Sequence, residues 1–481
     1  MKIKILSVLL IICTVAAIAA CGETAPAVYT ENSESTGIQT ETVVSPDAVP
    51  KPFFENSDYR GKNFVIVWPE LSINDAYYFA EEETGEFLND TVYKRMFDVE
   101  EQLNIKITEY CPGQCTEIHP FIMKTVNAGS DEYNLVISHT AVGIGAIVAD
   151  NLILDWNDIN YTDRSQPYWD KEINDNLSIY GKQPYVSSAF MVPDFIVILF
   201  NKGMVTDFSL ESPFELVING RWTLDRIAEM GKVVSADVNG DGVFDMNDRY
   251  GFGTSLDWYI KTFQISCGQK IVQKNAEGKM EYVFMTERMA SIAEKFYDIL
   301  YNNNVSITWP YGTYQWGVIV PIFNEGRMLF LTQWMGFAEN YREADVEYGI
   351  IPAPKLNEAQ DRYYTMNYSG YLCIPKTVTD TDLVGKTVEL LSYWGSETVI
   401  PAYKEVLLAE KVSRDNDSSA MLDIIFSTLV NDLANNYGYM EILMDLMTAK
   451  SYDIASYYEK NISRFQAILD ANDEGFVNFG K

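Results

Sequence analysis

The chain is poor in histidine: 481 residues contain only His119 and His139. That excludes a multi-histidine metal centre and leaves a histidine-dependent catalytic triad hard to place. Basic residues are scarce too, with 36 Lys and Arg against 68 Asp and Glu. A field of that sign repels phosphate and excludes general nucleic-acid binding, whose affinity comes mostly from phosphate neutralisation. Long apolar runs are missing after residue 18, so nothing downstream approaches the roughly 20 residues of a membrane-spanning helix. What is abundant is core material: the chain is 47% hydrophobic and 13% aromatic. Its length after the N-terminal segments suits two or three domains.

At the N-terminus, Lys2 and Lys4 precede an apolar stretch, Ile5 to Ile18, with the length and flank of a secretory signal rather than a membrane span. Ile18-Ala19-Ala20-Cys21 then resembles the bacterial lipobox. The resemblance implies a signal over residues 1–20 and acylation, palmitate included, of Cys21. The expected location is therefore extracytoplasmic, on the outer face of the bacterial cell membrane. Residues 21–57 are polar, acidic and aperiodic, closed by Pro46, Pro50 and Pro52. Such a segment cannot offset its ordering entropy by burial and reads as a tether reaching roughly 30 Å. Without Lys2 and Lys4, 34 basic residues face 68 acidic ones, a net charge of −34.

Four cysteines remain beyond Cys21: Cys111, Cys115, Cys267 and Cys373. Cys111-Pro-Gly-Gln-Cys115 spans a turn that a disulfide could close, which export permits. With His119 the same segment offers three soft ligands for zinc, but no fourth stands out, and structural zinc prefers four.

Gly61 to Trp68 reads as a buried strand. Asn89-Asp90 is placed to start a helix whose Val92, Met96, Val99 and Leu103 recur at helical spacing. A strand over 104–110, a helix over 118–128 ended by Gly129, and a strand over 134–138 follow. This β-α-β-α-β order implies a parallel sheet with helices on its faces and ligand-bearing loops after the strands, at Trp68-Pro69-Glu70 and Ser138-His139-Thr140. A second α/β region has strands at Phe195–Phe200, Gly326–Leu331, Tyr348–Pro352 and Tyr371–Ile374. Helices are expected from Thr223 as N-cap, over 285–301 and over 381–394, with the last hundred residues mainly helical.

The order of the lipobox, the β-α-β-α-β start, Asn134-Leu-Val-Ile, Asn151-Leu-Ile-Leu-Asp155-Trp156, Phe200-Asn201-Lys202, Gly220-Arg-Trp-Thr-Leu-Asp225, Phe323-Asn-Glu-Gly326-Arg and Tyr348-Gly-Ile-Ile-Pro-Ala-Pro354-Lys resembles extracellular solute-binding proteins of the maltose-binding-protein-like class. The resemblance runs from residue 58 onward. It implies an α/β, two-lobed periplasmic-binding-protein-like fold with an interlobe ligand cleft. Lobe one would take 58–160 with 365–397, and lobe two 161–364 with 398–481. It further implies a monomeric, non-catalytic substrate-binding component that hands a solute, expected to be a carbohydrate, to the permease subunits of an ABC importer.

The sharpest local motif is Asp237-Val-Asn239-Gly-Asp241-Gly242-Val243-Phe-Asp245-Met-Asn-Asp248. Oxygen donors at positions 1, 3, 5, 9 and 12, a glycine at 6 and a backbone carbonyl at 7 match an EF-hand-like calcium loop. The predicted ligands of a structural calcium are Asp237, Asn239, Asp241, Val243, Asp245 and Asp248. Asp248 is shorter than the usual glutamate, and Arg249 to Gly253 reads as a strand rather than a helix.

Sugars present flat apolar faces rimmed by hydroxyls, which aromatic platforms and a few acids recognise. The candidate ligand contacts are Trp68, Glu70, His139, Phe200, Trp258 and Trp334. Two other functions stay open at this point: a surface glycoside-acting enzyme, which needs two opposed carboxylates, and a non-catalytic adhesin or scaffold. Peptides or polyols also remain alternatives as cargo.

Overall fold

Nine strands divide between two sheets in the computed structural model, which describes residues 49–55, 57–70, 77–302, 304–309, 319–337, 346–409 and 416–481. The signal segment, Cys21 and the tether up to residue 48 lie outside the described residues. In chain order the strands are β1 (Lys62–Val67), β2 (Ile105–Tyr110), β3 (Leu135–Ser138), β4 (Ile196–Asn201), β5 (Tyr250–Ser255), β6 (Ser306–Trp309), β7 (Met328–Trp334), β8 (Tyr348–Ile351) and β9 (Tyr371–Cys373).

The first sheet has the order β9-β3-β1-β2. β1 pairs in parallel with β2 and β3, and β9 returns antiparallel to β3. The expected β-α-β-α-β start is what forms it. The first helix runs Phe87–Leu103 and buries Leu88, Val92, Met96, Val99 and Leu103, the stripe that its spacing implies. It begins before Asn89-Asp90, because the Glu86 carboxylate accepts the Asn89 N–H at 2.6 Å and takes the cap. Asn104 ends it in the left-handed region at φ 50°, turning the chain directly into β2.

The second sheet has the order β8-β4-β7-β5-β6. β4 lies antiparallel between β8 and β7, whereas β5 is parallel to β7 and β6. Every residue of β4 and β5 is buried, so both strands are covered on both faces. One cover is the helix Leu224–Val234, which crosses β5 at a glycine pair. A Cβ on Gly251 would stand 2.1 Å from the Gly231 Cα, so only hydrogen fits there. Thr223 occupies the N-cap position of that helix, but its side chain makes no capping bond.

The chain thus visits the first sheet, builds the second, and returns at β9. The segment just before β9 pairs Thr365–Met366 with Leu429–Val430. The final helix, Ile454–Asn478, packs on the helix Ile144–Ala149 beside the first sheet, with Gly475 against Ala149. It also meets a small antiparallel hairpin, Val272–Lys274 with Met280–Tyr282, beside which Lys279 pairs with Asp470 at 3.4 Å. Among the described residues no helix is long and apolar enough to cross a membrane.

Cys111 and Cys115 are both free thiols in this structure. His119 does not join them in a ligand set; its Nε2 bonds Asp150 at 2.8 Å. Among the described residues no group of three or more His, Cys, Asp or Glu side chains is arranged to hold a metal. Cys267 and Cys373 are buried core residues.

Candidate ligand-binding site

His139 follows directly on β3, where the first sheet opens into a loop. Trp334 is the last residue of β7 in the second sheet. Trp258 begins the helix Trp258–Ser266 immediately after β5, capped by Asp257, whose carboxylate accepts the Tyr259 N–H at 3.1 Å. The structure brings these three predicted residues into one chain of ring contacts with a fourth, Tyr368, on the segment leading back to β9. The Tyr368 ring lies 4.8 Å from Trp334 and 5.9 Å from Trp258, both edge to face. His139 stands 6.3 Å from Trp258. Both sheets therefore contribute rings to one cluster. Trp258, Trp334 and His139 stay half-buried, whereas Tyr368 is nearly sealed.

The polar groups around the rings are few and fixed. The Tyr259 hydroxyl donates to the Gln333 carbonyl oxygen at 2.8 Å, and that oxygen also accepts the Trp334 N–H at 2.9 Å. Burial pushes His139 down to about 4, so its ring is neutral at physiological pH. Its Nδ1 accepts the Ala141 N–H at 3.0 Å, which leaves the proton on Nε2 as a donor. Asp194, the residue two before β4, meets the cluster through its backbone, where its carbonyl accepts the Tyr368 N–H at 2.7 Å. Its Oδ1 is closed off from water with no hydrogen-bond donor among the described residues. Burial pushes this carboxyl up to about 7, against a smaller lowering effect of the Phe195 N–H. A buried acceptor without a donor is costly unless a ligand or water supplies one.

The other predicted contacts lie elsewhere. Phe200 is 2% exposed and packs edge to face on Phe214 at 4.9 Å, so it is core of the second sheet. Its position in β4 explains this: a strand covered on both faces leaves no side chain for a ligand. Trp68 follows β1, its Nε1 donating to Glu109 at 2.7 Å and its ring 6.3 Å from Tyr78. Glu70 is exposed, and its N–H bonds the Gly113 carbonyl at 2.8 Å. No ring contact joins Trp68 to the four-ring cluster among the described residues.

Sequence reasoning missed Tyr368 and Asp194. Asp194 had a signal, an acid standing immediately before the wholly apolar run Phe195–Phe200. Tyr368 had none, because nothing local distinguishes it from the 31 tyrosines of the chain.

The Asp237–Asp248 loop is tightly wound. Asp237 accepts the Gly240 and Gly242 N–H groups at 2.7 and 2.8 Å, Asn239 accepts that of Asp241 at 2.9 Å, and Asp241 that of Val243 at 2.8 Å. Gly240 and Gly242 take φ of 72° and 79°, where a side chain would be strained. Asp245 accepts from Asn247 at 2.8 Å. Asp248 is fully buried and accepts from Val238 and Asp245 at 3.0 and 2.9 Å, bracing the two ends of the loop. The donors are hard oxygens of the kind calcium takes, but in this conformation the acid side chains accept backbone N–H groups and are not gathered into a metal-holding group. The exit is a strand, β5, as the sequence implied.

The sequence matches no protein-family model and no curated protein. Solved structures do match over nearly the whole fold. An ABC substrate-binding protein from Listeria monocytogenes in complex with cycloalternan is 12% identical, at a TM-score of 0.52 over 85% of this chain and 99% of that one. The cyclic α-maltosyl-1,6-maltose binding protein from Arthrobacter globiformis is 13% identical, at 0.56 over 86% and 98%. UgpB from Mycobacterium tuberculosis, in complex with glycerophosphocholine, is 13% identical, at 0.54 over 79% and 95%. The fold is that of the two-lobed solute-binding proteins. At these identities the likeness concerns architecture alone. The four-ring cluster is drawn from chain segments next to both sheets.

Proposed function

We propose that this protein captures an extracellular, uncharged, hydroxyl-rich solute, a carbohydrate or oligosaccharide, between its two lobes and delivers it without catalysis to an ABC importer. The observation that carries the reading is the ring cluster of His139, Trp258, Trp334 and Tyr368, which joins segments beside both sheets, with Asp194 next to it and the Asp194 Oδ1 without a donor among the described residues. Half-buried rings give sugar faces a stacking surface, and Asp194 with the neutral His139 supplies an acceptor and a donor for hydroxyls. Two of the matched structures carry sugars or sugar rings in their names, which agrees with this cargo; the third binds glycerophosphocholine.

The rest of the reading follows from sequence. Lipid on Cys21 tethers the protein outside the membrane, and the permease subunits are its partners there. The Asp237–Asp248 loop holds a structural calcium that staples the helix Leu224–Val234 to β5, through Asp237, Asn239, Asp241, Asp245 and the Val243 carbonyl, with Asp248 as the brace.

The test is titration calorimetry and thermal shift on residues 49–481 against neutral oligosaccharides, polyols, short peptides and glycerophosphodiesters. A ligand at one hundred times its dissociation constant stabilises the folded state by about 2.7 kcal/mol. One sugar class that raises the midpoint in the native protein and not in Trp334→Ala supports the reading. Binding confined to peptides or phosphodiesters, or turnover of a chromogenic glycoside, defeats it.

A further inference from the structure

Lys261 is a cation in an unusual place. Its side chain is 3% exposed, yet it carries its ammonium into the packing beside the ligand cluster. It stands three residues after Trp258 on the helix Trp258–Ser266, a spacing that puts both side chains on one helix face. Its Nζ lies 3.6 Å from the centroid of the Trp258 ring. The same nitrogen pairs with Glu441 Oε1 at 3.0 Å. Glu441 occupies the N-cap position of the helix Ile442–Thr448 but makes no capping bond there; its carboxylate goes to Lys261 instead. One turn further along Trp258–Ser266, Gln264 donates to the Met440 carbonyl at 2.7 Å, so the two segments are joined twice.

We infer that Lys261 is a positioning residue that holds the Trp258 ring and sets its electrostatic character, so that this platform accepts neutral ligands and disfavours cationic ones. An aromatic face attracts cations through its quadrupole. Here that attraction is already taken by an ammonium inside the protein, which draws ring density inward and adds a positive charge behind the platform. Burial strengthens the effect, because the ammonium has little water to screen it. Glu441 holds the ammonium in register and offsets part of its charge, so the pair tunes the platform. Removing Lys261 returns a free, electron-rich indole to the cleft. This selectivity rests on Trp258 lining the cleft, and its test uses no sugar, so it stands or fails separately from the choice of cargo.

The experiment is collisional quenching of tryptophan fluorescence in the unliganded protein at 0.15 M ionic strength, by caesium, iodide and acrylamide. The Trp258 signal among nine tryptophans is isolated as the difference between each protein and its Trp258→Phe counterpart. Lys261→Met is expected to raise caesium quenching of that component about 1.4-fold, the effect of one charge about 8 Å away in water with a Debye length of about 8 Å. Iodide quenching is expected to fall and acrylamide quenching to stay level, while Lys261→Arg keeps the native pattern. Glu441→Gln, which leaves the ammonium less compensated, is expected to lower caesium quenching, and it serves if Lys261→Met fails to fold. Equal changes for all three quenchers would mean that Lys261 only covers the ring. That result, or unchanged caesium quenching in both Lys261→Met and Glu441→Gln, overturns the inference.

Discussion

Asp194→Asn separates what the site needs from what the fold prefers. The carboxyl stands at the head of β4 with Oδ1 unpaired, and burial carries it from 3.8 to about 7. At 1.36 kcal/mol per pKa unit that rise corresponds to about 4 kcal/mol, an upper figure for a group whose partners are lost to burial. The folded value is raised above the unfolded one. The stability linked to this proton is therefore fully present below 3.8 and is lost as pH climbs through 7. Above pH 8 the native protein carries the whole cost of the buried charge. Asparagine has nearly the same shape and no charge, so Asp194→Asn is expected to be more stable than the native protein at pH 8 and equal to it near pH 4. For a chain of this size 1 kcal/mol moves the midpoint by about 1 °C, so the gain at pH 8 is about 4 °C. Ligand binding moves the other way. A hydrogen bond to a charged acceptor contributes about 1.5–3 kcal/mol, so affinity should fall roughly ten- to hundredfold. Differential scanning calorimetry at pH 4, 6 and 8, with calorimetric titration of the best ligand, measures both. His139 acts oppositely in the native profile: with its pKa lowered to about 4, its contribution is complete above 6.5 and is lost as pH falls. The difference between variant and native protein cancels that background. A gain independent of pH, or a variant no more stable at pH 8, refutes the assignment of a buried charge at Asp194 whose burial outweighs its one N–H bond.

Three further outcomes are expected. Trp334→Ala should weaken ligand binding at least tenfold with a small change in midpoint, whereas Phe200→Ala should cost about 3–5 kcal/mol of stability and leave the affinity of the folded fraction intact; calorimetry on both distinguishes platform from core. Gly251→Ala should destabilise severely or prevent folding, because its Cβ would lie 2.1 Å from the Gly231 Cα; circular dichroism and expression yield measure this. Chelator should lower the native midpoint, and Asp241→Ala should abolish that sensitivity without disturbing ligand affinity; a native midpoint indifferent to both calcium and chelator removes calcium from the account.

The legible part of this protein is what depends on neighbours in sequence. Fully apolar runs such as Phe195–Phe200 had to be buried strands. The helical stripe of Val92, Met96, Val99 and Leu103 had to face a sheet, and the glycine-punctuated acid loop had to wind on itself, because the forces deciding each act within one turn or one pleat. The same local forces misplaced one helix start, where Glu86 competed with Asn89-Asp90 for the cap and won by a 2.6 Å bond. The ring cluster was half legible for the same reason. His139 and Trp334 stand at strand ends and Trp258 at a helix start, positions that loop topology marks in advance. Phe200 looked equivalent, but a strand covered on both faces turned it inward. Tertiary structure alone decided that Tyr368 would stand between Trp258 and Trp334, that Asp194 would lose its water, and that Lys261 would find Glu441 180 residues away. Those juxtapositions arise where chain segments distant in sequence are pressed together by burial, and no spacing along the chain records them.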